Sequence, residues 1–525
     1  MATITVATSG GDYTTVQAAI DAASRGDTII VTAGQTFTEN ITLPFKSGEG
    51  YVTIQSSNLN NLPPENRRVF PSDSTNMPTI RSTSAGSTRV ITAASSATPP
   101  SYYKFIGIQI LRHDSNTQQT NLIELGTSNT AIENLPSYII FDRCLVRGSD
   151  SGATRRGIAL NSKNSQIINC YIDNFWESGA DSQAIGFWSG GQDVSVINNF
   201  LEGASENLLI GGSDPAITNF VPNNIAIEHN HFFKRLSWKV DGTKQVKNIF
   251  ETKNARNVSI RYNIFENCWA EGQDGKGVHF SLRNQDGTAA WSVVENVTFE
   301  YNIIKNVGNA ISFLLEDDFQ SSDVMSNITI KNNLCIIEGE DAGSTGYCLL
   351  PTAGGSQIAD NFVIDHNTFI HTNAGTGGGN RMIDFQSMSD GMSNFTFTNN
   401  IVAGDGGDIG RIARDGSSGE SALQAAVTTY SFLNNAIQRS SSGMPTGNFY
   451  PASTATIDFE DYAGGDYSLS ATSPYKNSAT DGLDVGVNWS ELMSRTANVV
   501  SGINSIVVNS SFSGNMNFSG NVSIL

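Results

Sequence analysis

Apolar and polar residues alternate along this chain in short strokes, and the strokes recur. NVSIRYNIF (257–265), NVTFEYNII (296–304) and NITIKNNLC (327–335) share one order: apolar, polar, apolar, two mostly polar residues, Asn, then an apolar pair. Looser copies are DVSVINNFL (193–201), NIAIEHNHF (224–232), NFVIDHNTF (361–369), NFTFTNNIV (394–402) and TYSFLNNAI (429–437). Aligned, they put Asn199, Asn230, Asn263, Asn302, Asn333, Asn367, Asn400 and Asn435 in one column, with gaps of 31, 33, 39, 31, 34, 33 and 35 residues by subtraction. Upstream, FDRCLV and IINCYI put Cys144 and Cys170 in the same column.

Period-2 alternation of Val, Ile and Phe predicts strands with one face inward. Repetition at this period is a solenoid signature, each unit burying its apolar face against its neighbours. No sustained 3.6-residue pattern supports a helical solenoid. Gly is abundant, at 50 residues, and Asn clusters where the chain must bend. Asn tolerates left-handed backbone angles, and its amide can bond to the same amide one rung away, about 4.8 Å along the stack. The expected fold is all-β: a single-stranded parallel β-helix solenoid of about eleven rungs with the Asn column on one edge.

The pattern resembles the right-handed parallel β-helix of the pectate-lyase-like superfamily over roughly residues 1–490. That superfamily spans lyases, hydrolases, epimerases, phage tailspikes and adhesins, so the resemblance implies a fold more than a chemistry. The opening DYTTVQAAIDAASRGDTIIV (12–31) strengthens it. Val16, Ala18, Ala19, Ile20, Ala22 and Ala23 form a short apolar N-terminal capping helix that plugs the open end. The boundaries read as 1–50 for this cap and the first rungs, 51–458 for the β-helix, 459–490 for a closing C-terminal cap, and 491–525 for a short β tail. In the tail, FSGNMN (512–517) is followed directly by FSGNVS (518–523). A six-residue apolar/polar repeat cannot bury itself within one chain. It suits three chains wound together, so a homotrimer is expected; a loose Ser/Gly/Asn tail or one last strand on the cap is the alternative.

Charge narrows the partners. Lys and Arg number 31 against 50 Asp and Glu, a net charge of −19. This argues against nucleic acid and against an anionic membrane surface. No run approaches a transmembrane helix, and MATITVATSGGDY lacks the basic start and apolar core of a signal peptide. The expected location is therefore a virion or the extracellular space, with other virion proteins as candidate partners. The five cysteines, Cys144, Cys170, Cys268, Cys335 and Cys348, show no zinc spacing. Cys144 and Cys170 read as small buried residues in the Asn column, with a disulfide open to geometry.

Candidate chemistry gathers between Arg155 and Asp286. If Phe250, Thr252, Phe280 and Leu282 point inward, then Glu251, Lys253, His279, Ser281 and Arg283 point outward. Pairing those inward positions sets Lys253 beside Arg283 and Glu251 beside Ser281. Trp188 and Asn161 continue the Lys253/Arg283 line. Two neighbouring cations repel unless an anion sits between them, which Glu251 or a bound uronate could supply. β-Elimination on a uronate needs a base at C5 and a cation on the carboxylate. Lys253, Arg283 and Glu251 are thus the catalytic candidates. Arg156 before its strand, Asp181, Trp188 (a stacking platform), Glu206 and His279 are the substrate-binding candidates. A purely structural rung-to-rung salt bridge fits the same charges. No cofactor is expected; the acidic run Glu316-Asp317-Asp318 suits a solvated turn or a Ca²⁺ site. Three functions fit: a virion-surface tailspike, fibre or capsid appendage that binds host or environmental polysaccharide, with or without degrading it; a secreted polysaccharide lyase or glycoside hydrolase; and a non-catalytic structural or adhesive β-helix.

Overall fold

A computed structural model describes residues 1–84, 89–126, 129–372, 381–406 and 409–503. The six-residue repeat at 512–523 lies outside them. Three long sheets of 14, 13 and 13 strands run the length of the molecule. Pairing is parallel throughout, apart from the terminal hairpin Arg411–Arg414 with Ser417–Ser418. One turn shows the plan: Ala255–Arg261 lies in the first sheet, Ile264–Cys268 in the second and Lys276–Ser281 in the third. The chain then re-enters the first sheet one rung on, at Val294–Glu300. The result is a right-handed parallel β-helix.

The second sheet has thirteen strands, so the stack exceeds the eleven rungs expected. The turns without a column residue lie at the N-terminal end, before Cys144, where Thr36–Thr38, Thr79–Arg81 and Gln109–Leu111 follow neither Asn nor Cys at the corner. The left-handed conformation also belongs to a different residue than expected. It falls on the residue before each column Asn: Asn198, His229, Tyr262, Tyr301, Asn332, His366, Asn399 and Asn434, with φ between 52° and 61°. The column Asn instead satisfies the bend. The backbone N–H and Nδ2 of Asn263 both donate to Asn302 Oδ1, at 2.9 and 3.0 Å, and Asn302 Nδ2 donates to the Ile260 carbonyl at 2.9 Å. The same bonds link each rung from Asn199 to Asn435, and Asn448 adds a further step. Cys170 joins from below, its N–H donating to Asn199 Oδ1 at 2.8 Å. All five thiols are free.

Inward aromatic rings stack between rungs, as in Phe232 on Phe265 at 4.5 Å and Phe397 on Phe432 at 5.0 Å. The helix Val16–Ala22, capped by Thr15, closes the N-terminal end with Val16, Ala19 and Ile20 buried. The other end is closed by Glu420–Ala426, with Ala422, Leu423 and Met444 in the core.

Residues 459–490, expected as a cap, do not lie over that end. They fold back along the flank. Phe459, Tyr467, Leu469, Tyr475 and Val485 pack on Ile264, Ile303, Leu334, Ile370 and Ile401, the outward residues of the second sheet. This explains the apolar pair after each Asn: one member, such as Phe265, enters the core, and the other, such as Ile264, is covered by this strap. The strap continues through the helix Trp489–Thr496, then reaches the early turns, where Arg68 and Asn198 both donate to the Gly502 carbonyl.

Candidate functional site

The outer face of the third sheet carries the charged cluster. Its strands bend near their start, so two successive residues, such as Ile249 and Phe250, both enter the core. This sends Arg156, Gln183, Glu206, Asn248 and Lys276 to one outer line, and Glu251 and His279 to a second. The register also differs from the one expected. Phe250 pairs with Val278, and Thr252 with Phe280, so Glu251 lies opposite His279 rather than Ser281. Alternation alone could not reveal the doubled inward position. Trp188 does share a line with Asn161 and, two rungs on, with Lys253. Asn161 Oδ1 accepts the backbone N–H of Trp188 at 2.7 Å.

Lys253 and Arg283 are not a cation pair awaiting an anion. The Arg283 N–H does donate to the Lys253 carbonyl at 2.8 Å, but its guanidinium turns to the next rung. There it meets Asp317 at 3.3 Å and Asp318. The acidic run is thereby spent on Arg283 and on the turn, since Asp317 also accepts the N–H of Asn284, Phe319 and Gln320. Lys253 keeps Glu251 at 3.9 Å and Gln285 at 3.1 Å. Among the described residues, no group of three or more His, Cys, Asp or Glu is placed to hold a metal ion.

Glu206 is the most perturbed carboxyl of the face. It is 1% exposed. Burial, then the charges of Glu251 and Asp181, push its pKa up to about 8. It accepts from Gln183 Nε2 at 2.8 Å. Gln183 in turn accepts from Arg156 Nε at 2.7 Å. Arg156 lies within the strand Ala153–Leu160 and not before it, and its guanidinium stacks over the Trp188 ring at 5.0 Å. Burial, then Arg155, lowers its pKa to about 10. It forms no ion pair among the described residues. Asp181 bonds Lys247 at 2.5 Å. His279 contacts the Ser312 hydroxyl through Nδ1 at 2.8 Å, and burial followed by Lys276 holds its pKa well below the ordinary value. It is a neutral imidazole at pH 7.

Two residues were missed from sequence. Lys247 follows a loop, where alternation gives no orientation. Lys234 is fully buried, and its ammonium donates to three successive carbonyls, Gly203, Ala204 and Ser205, at 2.7, 2.8 and 3.2 Å. That turn leads directly into Glu206. The available signal was HFFK: if Phe232 points inward, so does Lys234.

Neither a family model nor a curated protein matches the sequence. Solved structures do. A mannuronic-acid-specific family 6 polysaccharide lyase from human gut microbiota aligns at TM-score 0.46 and 12% identity, covering 85% of this chain and 88% of its own. The family 6 alginate lyase AlyGC aligns at 0.43 and 13%, covering 90% of this chain, which spans 57% of that enzyme. The Dettilon tailspike protein aligns at 0.38 and 10%, covering 77% of this chain and 62% of its own. The right-handed parallel β-helix rests on this chain's own three sheets, and these likenesses add no function to it.

Proposed function

We propose that this protein binds an acidic polysaccharide along the outer face of its third sheet and cleaves it by β-elimination. The observation that carries the reading is Arg156, a half-buried guanidinium beside Trp188 that has no carboxylate partner among the described residues. Such a group calls for an external anion, and a uronate supplies one with a ring face for the indole. A polymer lying along the sheet meets a new rung about every 4.8 Å, so one side chain per rung can serve each sugar. Glu206, protonated at neutral pH, donates a proton to the leaving glycosidic oxygen. The Glu251 carboxylate, one rung on from Glu206, takes the C5 proton with Lys253 at that sugar's carboxylate, while Arg156, two rungs before Glu206, and His279, two rungs after it, meet neighbouring sugars of the polymer. The C5–H and C4–O bonds break, and a C4–C5 double bond forms.

The test is a panel of uronate polymers followed by the absorbance of unsaturated uronates. Cleavage lost in Glu206→Gln, with binding retained, supports the reading. Unsaturated product formed equally well by Glu206→Gln and Glu251→Gln refutes it.

A second reading concerns where the activity works. The period-six repeat at 512–523 favours a trimeric virion-surface appendage. Sedimentation of the full chain as a trimer supports it, and a monomer removes its basis.

A further inference from the structure

A cavity of about 730 Å³ opens between the C-terminal strap and the corner joining the first and second sheets. It lies on a different face from Glu206. Its size falls within the range of small-molecule sites, about 300–1,000 Å³. Three aromatic residues line it: Tyr301 from a corner, and Tyr467 and Trp489 from the strap. Tyr467 and Trp489 meet edge to face at 6.1 Å and 90°. Neither tyrosine hydroxyl nor the indole N–H bonds to any described residue.

The charged groups of the lining already have partners. Lys476 pairs with Asp484 at 2.9 Å, Asp481 with His366 at 3.2 Å, and Lys331 with Asp365 at 2.9 Å. A charged ligand would have to break one of these pairs. A neutral sugar would not. Its C–H faces suit the aromatic rings, and its hydroxyls suit the unspent phenol and indole groups and the spare lone pairs of Asp481 and Asp484.

We propose that this cavity is a second, non-catalytic saccharide site, taking a short neutral oligosaccharide segment. The proposal stands whether or not the third sheet cleaves.

Titration calorimetry with neutral cello-, xylo-, laminari- and malto-oligosaccharides tests it, with tryptophan fluorescence as a second readout. At least one series is expected to bind. Trp489→Ala should weaken that binding at least about tenfold, and Tyr301→Phe about threefold to tenfold for one lost hydrogen bond. Glu206→Gln should leave it unchanged, which separates this site from the third-sheet face. Tyr301→Phe removes one hydroxyl only, so it decides the matter if Trp489→Ala loosens the strap. No neutral series binding, or binding undiminished in Tyr301→Phe, overturns the proposal.

Discussion

Replacing Glu206 by Gln removes one ionisable group from a buried position and leaves an acceptor for Gln183 Nε2. In the wild type, the carboxyl titrates at 4.5 in the unfolded chain and at about 8 in the folded one. Below pH 4.5 both states hold the proton, and the full stability is present. As pH rises from there toward 8, the unfolded chain releases the proton and the folded chain keeps it, so stability falls. At about 1.4 kcal/mol per pH unit, the loss is at most about 5 kcal/mol, shared with Glu251 because the two carboxyls feel each other. For 525 residues the unfolding entropy is on the order of 1.1 kcal/mol/K, so the loss amounts to about 4 °C in Tm. Calorimetric melting of both proteins between pH 4.5 and 9 should give diverging curves. Glu206→Gln should melt higher than the wild type at pH 8 and lose less on the way there. Parallel curves would falsify the buried, protonated carboxyl, and with it the proton donor.

The other expectations are as direct. Cleavage should fall as pH rises through about 8, because the donor Glu206 must be protonated; a rate still rising at pH 9 argues for another acid. Lys234→Met removes the cation behind Glu206 and its three carbonyl bonds, so the surviving fold should show this alkaline limb moved to higher pH, and an unmoved limb would disconnect the two residues. Asn302→Leu breaks four buried hydrogen bonds, to Asn263 (twice), Ile260 and Asn333, and should cost about 3–5 kcal/mol; an unchanged Tm would count against the ladder. Arg283→Ala should lower Tm with glycan binding intact, since Arg283 braces Asp317 and Asp318, and Arg156→Ala should do the reverse.

The solenoid was legible because its strands repeat with their corner residue. Asn263 and Asn302 announce both the turn and its register. The turns before Cys144 were not legible because no Asn or Cys marks their corners; Gly107, for example, is followed by Ile108. The strap was misread as a cap because alternation within 459–490 reports a buried face, not the surface that covers it. At the third sheet, alternation turned Glu251 and Lys253 outward and lined Trp188 up with Asn161 and Lys253. It misplaced Arg283, because alternation fixes only which residues face inward, and a slip of two residues between rungs preserves that pattern. Glu206 was named only as a binding residue. Its perturbation arises from burial and from Glu251 on the following rung, which no local window contains.

The amide column has a grammar of its own. Each Asn gives two donors to the Asn of the following rung and takes two from the preceding one, always in the same direction. Such a sentence can be lengthened or cut only by whole clauses. Duplicating or excising a complete unit, corner Asn to corner Asn, leaves every donor with an acceptor, whatever the loop between them does. The natural gaps of 31 to 39 residues already show that freedom in the loops. A cut inside a unit strands two donors in the interior. Chains built this way should therefore vary among themselves by entire turns, and engineered versions can be made longer or shorter at will in that one increment.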